Sequence, residues 1–344
     1  MTAPRDPSGR VGLPTPLPDP RGLGLEAAWR TVRDALPPTP LLAAPSLSDA
    51  LGREVLLKLE NLQETGSFKV RGALARLALL PADARGVVAC SSGNHGRAVA
   101  WAAERLGVEA VICVPGWVDP VKRTAIERHG AEARLVGESY DEAEAEAERL
   151  ARETGRVLVH PFDDPAVVAG QGTLALEVLE QRADVDEVWV ALSGGGLAAG
   201  VACALESAGS RAEVVAVSAV RARVMRASLE AGHPVELPEE PTLASALAGG
   251  IGLRNRVTFE LVRETVRRHR EVDEAAIARA IRHGWSELGL VLEGGGATAL
   301  AGLLDHMEEA RPPAAGDGPL VVVLSGGNLD PSELARILVG PVGV

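Results

Sequence analysis

The chain has 344 residues, of which 46% are apolar, and a formal net charge of −12 at pH 7. This apolar content is too high for a disordered chain. The negative charge argues against a surface for nucleic acid or anionic lipid, because nothing offsets repulsion from phosphates. No apolar run approaches the ~20 residues that a membrane-spanning helix needs. The three cysteines, at 90, 113 and 203, are too sparse for a disulfide scaffold, and no signal-peptide pattern precedes them, so we expect a cytoplasmic protein.

The predicted elements alternate between short apolar strands and helices. Residues 1–23 hold six prolines and three glycines, and we expect them to form a flexible arm or to lie over the body of the protein. Apolar β-branched runs predict strands at 55–59, 87–90, 110–114, 133–136, 156–160, 187–192, 213–218 and 319–324. Helical periodicity predicts helices at 96–106, 121–130, 140–154, 196–207, 257–268, 274–288 and 297–310. The basic cluster at 263–270 is interpreted as the exposed end of a helix.

This alternation predicts an α/β fold with two open, twisted, mostly parallel sheets flanked by helices, because strands that are apolar on both faces are typical of parallel sheets. No internal repeat and no long linker divides the chain. A second domain is therefore expected as an insertion within the first.

Lysine is rare in this chain, which makes each lysine a candidate for amine chemistry. Only Lys58, Lys69 and Lys122 are lysines among the 35 basic residues, and arginine cannot serve as a neutral nucleophile. Lys69 follows a turn, near the predicted start of a helix at Phe68 with Ser67 as its N-cap. The dipole of that helix would lower the pKa of the Lys69 amine and favour a Schiff base. Taken alone, a lysine after a turn is more often a surface residue.

Three other segments follow predicted strands, at the sheet edge where α/β proteins bind ligands. Cys90-Ser-Ser-Gly-Asn-His-Gly96 offers hydroxyls, an amide and helix N–H groups that suit a carboxylate or phosphate, and His95 is either a general base or a residue lining the crevice. Ser193-Gly-Gly-Gly-Leu197 fits a single phosphate better than a dinucleotide. Ser325 places a hydroxyl after the last strand. Each segment alone is compatible with an ordinary turn, but together with an amine they fit pyridoxal 5′-phosphate.

From Thr39 to Asn328, the chain resembles the fold type II family of pyridoxal-phosphate enzymes, in its serine/threonine dehydratase branch. The resemblance rests on the motif from Lys58 to Gly72, on SSGNHG at 91–96 and on SGGGL at 193–197. It implies a fold of the tryptophan synthase β type with the cofactor between two domains. It also implies a small mobile domain at 85–162, inserted into a large cofactor-binding domain at 24–84 and 163–344, and a homodimer.

The resemblance also implies roles for individual residues. Lys69 would carry the cofactor and act as the catalytic base, with Ser92 as a second catalytic group. The implied cofactor contacts are Phe68 on the ring, Lys69, Asn94 at the 3′ oxygen, Ser193, Gly194, Gly195, Gly196 and Leu197 around the phosphate, and Ser325 at the ring nitrogen. The implied substrate-carboxylate group is Ser91, Ser92, Asn94 and His95. No metal is expected, because arginine, alanine and valine follow Ser218 where many relatives have acidic ligands.

The implied reaction is α,β-elimination, which converts a β-hydroxy amino acid such as L-threonine or L-serine to a 2-oxo acid and ammonia. A neutral serine at the ring nitrogen favours elimination over transamination. The segment 242–256 resembles that of dehydratases of hydroxyectoine utilisation, which leaves a hydroxyectoine-derived amino acid open as the substrate. Racemisation of serine or aspartate with Ser92 as the second proton donor, β-replacement, and a regulatory protein that binds the cofactor without turnover also stay open. A nicotinamide-dependent dehydrogenase is a more distant alternative.

Overall fold

The computed structural model describes residues 13–309 and 318–340. The strands are β1 Leu41–Ala43, β2 Val55–Leu59, β3 Val87–Cys90, β4 Ala110–Pro115, β5 Glu132–Val136, β6 Val157–Leu158, β7 Glu187–Ala191, β8 Glu213–Ala219, β9 Arg268–Val272 and β10 Leu320–Leu324. The helices are α1 Leu25–Ala35, α2 Pro45–Leu51, α3 Lys69–Leu77, α4 Asn94–Leu106, α5 Pro120–Glu127, α6 Tyr140–Thr154, α7 Pro165–Gln181, α8 Gly196–Ser207, α9 Val224–Ala231, α10 Thr258–Thr265, α11 Glu274–Ser286, α12 Gly294–Glu308 and α13 Pro331–Val339.

The strands form two sheets, as the alternation of strands and helices predicted. The larger has the order β1-β2-β10-β7-β8-β9 and the smaller the order β5-β4-β3-β6. All neighbouring strands in these sheets are parallel except β1, which runs antiparallel to β2. Strands β2, β7 and β10 are buried along their whole length, because helices cover both faces of the larger sheet. The predicted α/β fold class is confirmed.

The smaller sheet is built from one continuous stretch of chain, and the larger sheet from strands on both sides of that stretch. The packing of helices crosses this division. Val70 and Leu74 of α3 share a core cluster with Val99 of α4 and Ile112 of β4. Helix α3 therefore contacts the smaller sheet's layer although it lies before that stretch in sequence. The domain boundaries at 84 and 162 stay a prediction.

The N-terminal segment falls partly outside the described residues, which begin at residue 13. Its described part lies against the body of the protein. Leu17 and Leu23 are buried, and the Asp19 carboxylate accepts the backbone N–H groups of Leu23 and Gly24. No described helix is long and apolar enough to cross a membrane.

The helix predicted at 257–268 is present but ends earlier, and the prediction that its end is the exposed basic cluster is wrong. Helix α10 ends at Thr265, and Arg268 begins β9 at the edge of the larger sheet. The basic side chains reach partners across this edge, Arg268 contacting Glu187 at 3.0 Å and Arg270 contacting Glu309 at 2.9 Å. The strand predicted at 156–160 is shorter than expected. The unpredicted helix α7 is buried on all sides through most of its length, so its sequence lacks an amphipathic pattern.

A charge-balanced cluster lies buried between β2, α3 and α7. The guanidinium of Arg71 donates to Glu60 at 2.7 and 2.8 Å and to Glu177 at 3.0 and 3.1 Å. The Lys58 amine donates to Glu177 at 2.5 Å and to the carbonyl of Thr39 at 2.8 Å. Two cations and two carboxylates are thus buried together. Their burial is tolerated only because each charge is paired and hydrogen-bonded.

We expect Glu177→Ala to lower the free energy of unfolding by about 3–5 kcal/mol, because Arg71 and Lys58 would lose a shared counter-charge while buried. Glu180→Ala, on the same helix, is the control. Its carboxylate lies 3.6 Å from Arg33 in partly exposed surroundings, so the loss should stay near about 0–1 kcal/mol. Urea unfolding followed by circular dichroism measures both, and equal losses would contradict the interpretation.

Candidate active site

The turn before α3 and the loop after β10 are joined by backbone hydrogen bonds. Ser67 and Gly326 form an isolated β-bridge, the N–H of Phe68 donates to Ser325 O at 3.1 Å, and the N–H of Gly327 donates to Gly66 O at 2.9 Å. Since β2 and β10 are parallel neighbours, their carboxyl ends meet at one edge of the sheet. Lys69 and Ser325 are therefore held in adjacent segments.

Lys69 is the first residue of α3, and its amine is poorly solvated. Its Nζ donates to the carbonyl of Pro161 at 2.8 Å and lies 5.3 Å from the centre of the Phe68 ring. Burial lowers the pKa of the amine to about 8, against the opposing field of Glu293. A useful fraction of Lys69 is therefore neutral near physiological pH.

The prediction that Ser67 caps α3 is wrong. The helix starts directly after Phe68, no side chain caps it, and the Ser67 hydroxyl is buried without a partner among the described residues. Ser67 is instead fixed by its bridge to Gly326. The lowered pKa of Lys69 was expected from the helix dipole, but burial is its main cause.

The segment Ser91–Gly96 forms the loop after β3 and the first turn of α4. The first backbone N–H that bonds back into this turn is that of Arg97, to Gly93 O at 3.2 Å, so the preceding N–H groups point out of the helix end. The Ser92 hydroxyl is hydrogen-bonded to the hydroxyl of Tyr140. This end of α4 has N–H groups and hydroxyls of the kind that suit an anion, and anion binding here stays a prediction.

His95 is held as a structural residue in this segment. Its Nε2 lies 2.9 Å from the carbonyl oxygen of Val159, and because a carbonyl only accepts, Nε2 carries the hydrogen. The ring is buried, and burial lowers its pKa to about 3. Of the two expectations for His95, these contacts favour a residue that lines the crevice over a general base.

The glycine loop Ser193–Leu197 precedes α8. The first N–H bonded back into the helix is that of Ala199, to Gly195 O at 2.9 Å, which leaves the N–H groups of the loop free to bind an anion. The loop packs closely on Phe162, since a Cβ at Gly194 would lie 2.3 Å from the Phe162 ring. The Ser193 hydroxyl donates to Leu247 O at 2.8 Å, which connects the loop to the segment before Gly249.

Residues from distant parts of the chain join these segments into one site. The segment 160–162 connects the amine to the glycine loop, since Pro161 accepts from Lys69 and Phe162 packs on Gly194. Glu293 connects the start of α4 to the loop after β10. Its Oε1 accepts from Asn94 Nδ2 at 2.5 Å, and its N–H donates to Gly326 O at 3.2 Å.

Sequence reasoning missed the roles of Phe162, Glu293 and Tyr140. The Glu293 carboxyl is buried enough to raise its pKa to about 7. No local pattern in the sequence indicates where this carboxyl lies. Tyr140 is the chain's one tyrosine, and that rarity was the available signal.

The residues fit pyridoxal 5′-phosphate. The site offers a partly buried amine for an aldehyde, a glycine loop at a helix N-terminus for a phosphate and an aromatic ring beside the amine. The Ser325 hydroxyl is buried and donates to Gly295 O at 3.3 Å, which places a neutral polar group at this edge. Within residues 13–309 and 318–340, no group of three or more histidine, cysteine, aspartate or glutamate side chains is arranged to hold a metal ion.

Comparison with known proteins identifies the family of the chain. Residues 32–326 match the family model described as "Pyridoxal-phosphate dependent enzyme". A putative threonine dehydratase of Sinorhizobium fredii is 43% identical over 320 residues, which cover 92% of this chain and 95% of the relative. The L-threonine ammonia-lyase of Thermotoga maritima is 39% identical over 316 residues, which cover 91% of this chain and 77% of the relative.

A solved structure of similar fold is the processed form of threonine deaminase isoform 2 from Solanum lycopersicum. It superimposes with a TM-score of 0.86 at 31% identity, over 98% of this chain and 96% of that chain. The family match covers most of the chain, so the protein belongs to the pyridoxal-phosphate-dependent enzymes.

Proposed function

We propose that the protein removes water from a β-hydroxy amino acid, L-threonine or L-serine, to give a 2-oxo acid and ammonia. The observation that carries the proposal is the position of the Lys69 amine. It is partly buried against the Pro161 carbonyl oxygen, near the N-terminal end of α4, whose N–H groups suit an anion. The names of the threonine dehydratase and ammonia-lyase relatives support the same reaction.

Lys69 would hold the cofactor and, once released from it, take the Cα proton of the substrate. When bound, pyridoxal 5′-phosphate withdraws electrons from Cα and makes that proton acidic. An amine with a pKa of about 8 is partly neutral near neutral pH, so it can accept a proton. It is also basic enough to hold that proton, and a general base needs both properties. The partial burial of Lys69 also limits water near its amine.

The N-terminal end of α4 would bind the substrate carboxylate. Its free N–H groups and positive dipole end suit an anion, and the hydroxyls of Ser91 and Ser92 lie in the same loop. Tyr140 holds the Ser92 hydroxyl from α6. Because His95 is neutral and its N–H is bound to Val159, we assign it a supporting role in this loop.

The glycine loop would bind the cofactor phosphate through the N–H groups of Gly194, Gly195, Gly196 and Leu197, with Ser193 anchoring the loop to Leu247. Phe68 would pack on the ring and Asn94 would donate to its 3′ oxygen. Ser325 would face the ring nitrogen. A serine hydroxyl does not hold that nitrogen protonated as a carboxylate would, which favours rapid loss of the β-hydroxyl over transamination.

We further propose that the enzyme acts in the cytoplasm as a homodimer. The three cysteines are all free thiols, which suits a reducing compartment. Sedimentation equilibrium of the holoenzyme measures the subunit number.

Cofactor capture by the apoprotein should depend on pH through Lys69. Because only the neutral amine attacks the aldehyde, the rate should rise about tenfold per pH unit below pH 8 and level off above it. Stopped-flow absorbance at a fixed cofactor concentration measures this profile. Lys122→Arg, at an exposed position, should leave the profile unchanged, whereas a midpoint near the ordinary lysine value of 10.5 would contradict the assignment.

Gly194→Ala should weaken cofactor binding by about tenfold or more, because its Cβ would lie 2.3 Å from the Phe162 ring and displace the phosphate loop. Equilibrium titration of apoprotein with the cofactor measures the dissociation constant. The melting temperature of the apoprotein checks that the variant folds. An unchanged dissociation constant in a folded variant would remove the loop from the phosphate site.

The holoenzyme should release 2-oxobutanoate and ammonia from L-threonine. Lys69→Ala should lower kcat by about 10²–10⁴-fold through loss of the base, while Lys122→Ala keeps near-normal activity. A coupled assay of 2-oxobutanoate measures both, and full activity of Lys69→Ala would overturn the site.

If the loaded enzyme leaves L-threonine and L-serine unchanged, the proposed substrates are wrong and hydroxyectoine-derived amino acids are tested next. Chiral chromatography of the serine reaction shows whether D-serine forms, which separates racemisation from elimination.

A further inference from the structure

Behind Asn94, a chain of polar side chains runs from α4 to the loop after β10. Arg97 Nη1 donates to Asn328 Oδ1. Asn328 Nδ2 donates to Asn94 Oδ1 at 2.6 Å and to Thr65 O at 2.9 Å. Asn94 Nδ2 in turn donates to Glu293 Oε1 at 2.5 Å. The hydrogen bonds thus run in one direction, from the cation at Arg97 to the amide donor of Asn94.

The direction of this chain follows from its two fixed ends. A guanidinium only donates and a backbone carbonyl only accepts, so Arg97 and Thr65 together leave one orientation for the Asn328 amide. Its NH₂ group must face Thr65 and Asn94. The Asn94 oxygen therefore faces Asn328, and the Asn94 NH₂ group is turned away from it, toward Glu293.

Arg97 is a cation with no ion-pair partner in the part of the chain that the structure describes. It is half-buried, and burial lowers its pKa. Within the described ranges, its hydrogen bond is to the neutral Asn328, and no carboxylate lies within ion-pair distance. The nearby Glu293 carboxyl, whose pKa burial raises to about 7, acts on Arg97 through space and forms no ion pair with it. The field of Arg97 also acts on the neutral Asn328 amide that it contacts.

The turn before Lys69 leaves room for this chain. Gly66 has φ +74, a conformation that favours glycine, and a Cβ there would lie 2.4 Å from Asn328 Oδ1. The turn that presents Lys69 and the amide that orients Asn94 therefore fit together only without a side chain at Gly66.

We propose that Arg97 and Asn328 are positioning residues that orient and polarise the Asn94 amide. One of its N–H groups is held by Glu293, and the other would face the 3′ oxygen of the cofactor. The inference rests on the proposed function, which places Asn94 at that oxygen. A donor backed by a cation forms a stronger hydrogen bond. It stabilises the unprotonated 3′ oxygen and therefore favours the form of the Lys69-linked cofactor that absorbs in the visible over the form protonated on oxygen, which absorbs in the ultraviolet.

The test compares Arg97→Met, Arg97→Gln and Arg97→Lys as holoenzymes without substrate. The readouts are the ratio of visible to ultraviolet absorbance and the dissociation constant of the cofactor. Arg97→Met removes both donor and charge, so the ratio should fall about threefold or more and the dissociation constant rise about tenfold. Arg97→Gln keeps a donor without the charge and should lie between Arg97→Met and the wild type. Arg97→Lys should be closest to the wild type.

Two further variants separate this role from a general effect of charge or folding. Arg128→Met removes another positive charge that acts on Arg97. Among the described residues, the Arg128 side chain has no hydrogen bond to Asn328 or Asn94, so the ratio of visible to ultraviolet absorbance should stay unchanged. Asn328→Asp gives Arg97 a counter-charge. It also replaces the NH₂ group that donates to the oxygens of Thr65 and Asn94 by a carboxylate oxygen, which repels both. It should lower the ratio more than Arg97→Gln does.

The outcomes distinguish this inference from the proposed function. Wild-type protein that forms no visible band with the cofactor would overturn the cofactor site itself. A normal wild-type band with unchanged ratio and affinity in Arg97→Met would overturn the positioning role alone. If Arg97→Met does not fold, an unchanged ratio in Arg97→Gln and Asn328→Asp overturns it equally.

Discussion

The buried cluster of Lys58, Glu60, Arg71 and Glu177 is the interaction on which the site depends. Arg71 lies two residues after Lys69, in the first turn of α3. Its guanidinium is held by two carboxylates, one directly after β2 and one on α7. Buried charges tolerate little displacement, because losing one partner leaves another charge uncompensated. The start of α3 is therefore fixed in position, and the Lys69 amine is fixed with it.

The same cluster shows why two lysines so close in sequence differ in chemistry. Lys58 is also buried, which lowers its pKa, but Glu177 and Glu60 oppose that shift and its amine has acceptors from Thr39, Glu177 and Gln181. Within residues 13–309 and 318–340, Lys69 has one carbonyl acceptor and no carboxylate in contact. The first lysine is stabilised as an ammonium, whereas the second loses its proton easily. Rarity of lysine marked both as candidates, and only their surroundings separate them.

The sequence predicted the parts of the site that follow strands, because apolar runs and glycines are local signals. Lys69, Ser92, Gly194 and Ser325 belong to this group, as does the α/β fold. The features that could not be predicted depend on contacts between residues far apart in the sequence. Glu293 reaches Asn94 from a segment 199 residues away, which no local pattern indicates. The charged strand β9 resembled a helix end because its stability comes from partners across the sheet edge.

The return from the smaller sheet to the larger one contacts both the Lys69 amine and the segments proposed to bind the cofactor phosphate and the substrate. Over 160–163, Pro161 accepts from Lys69, Phe162 packs on the glycine loop, and the Asp163 carboxylate accepts the N–H groups of Arg256, Val257 and Thr258 at the start of α10. His95 is tied to the same return through Val159. Any shift of the smaller sheet toward the larger must therefore move the Pro161 carbonyl, the one hydrogen-bond acceptor of the Lys69 amine among the described residues. The closure over a substrate that the resemblance implies would therefore be physically coupled, through residues 160–163, to the proton affinity of the Lys69 amine.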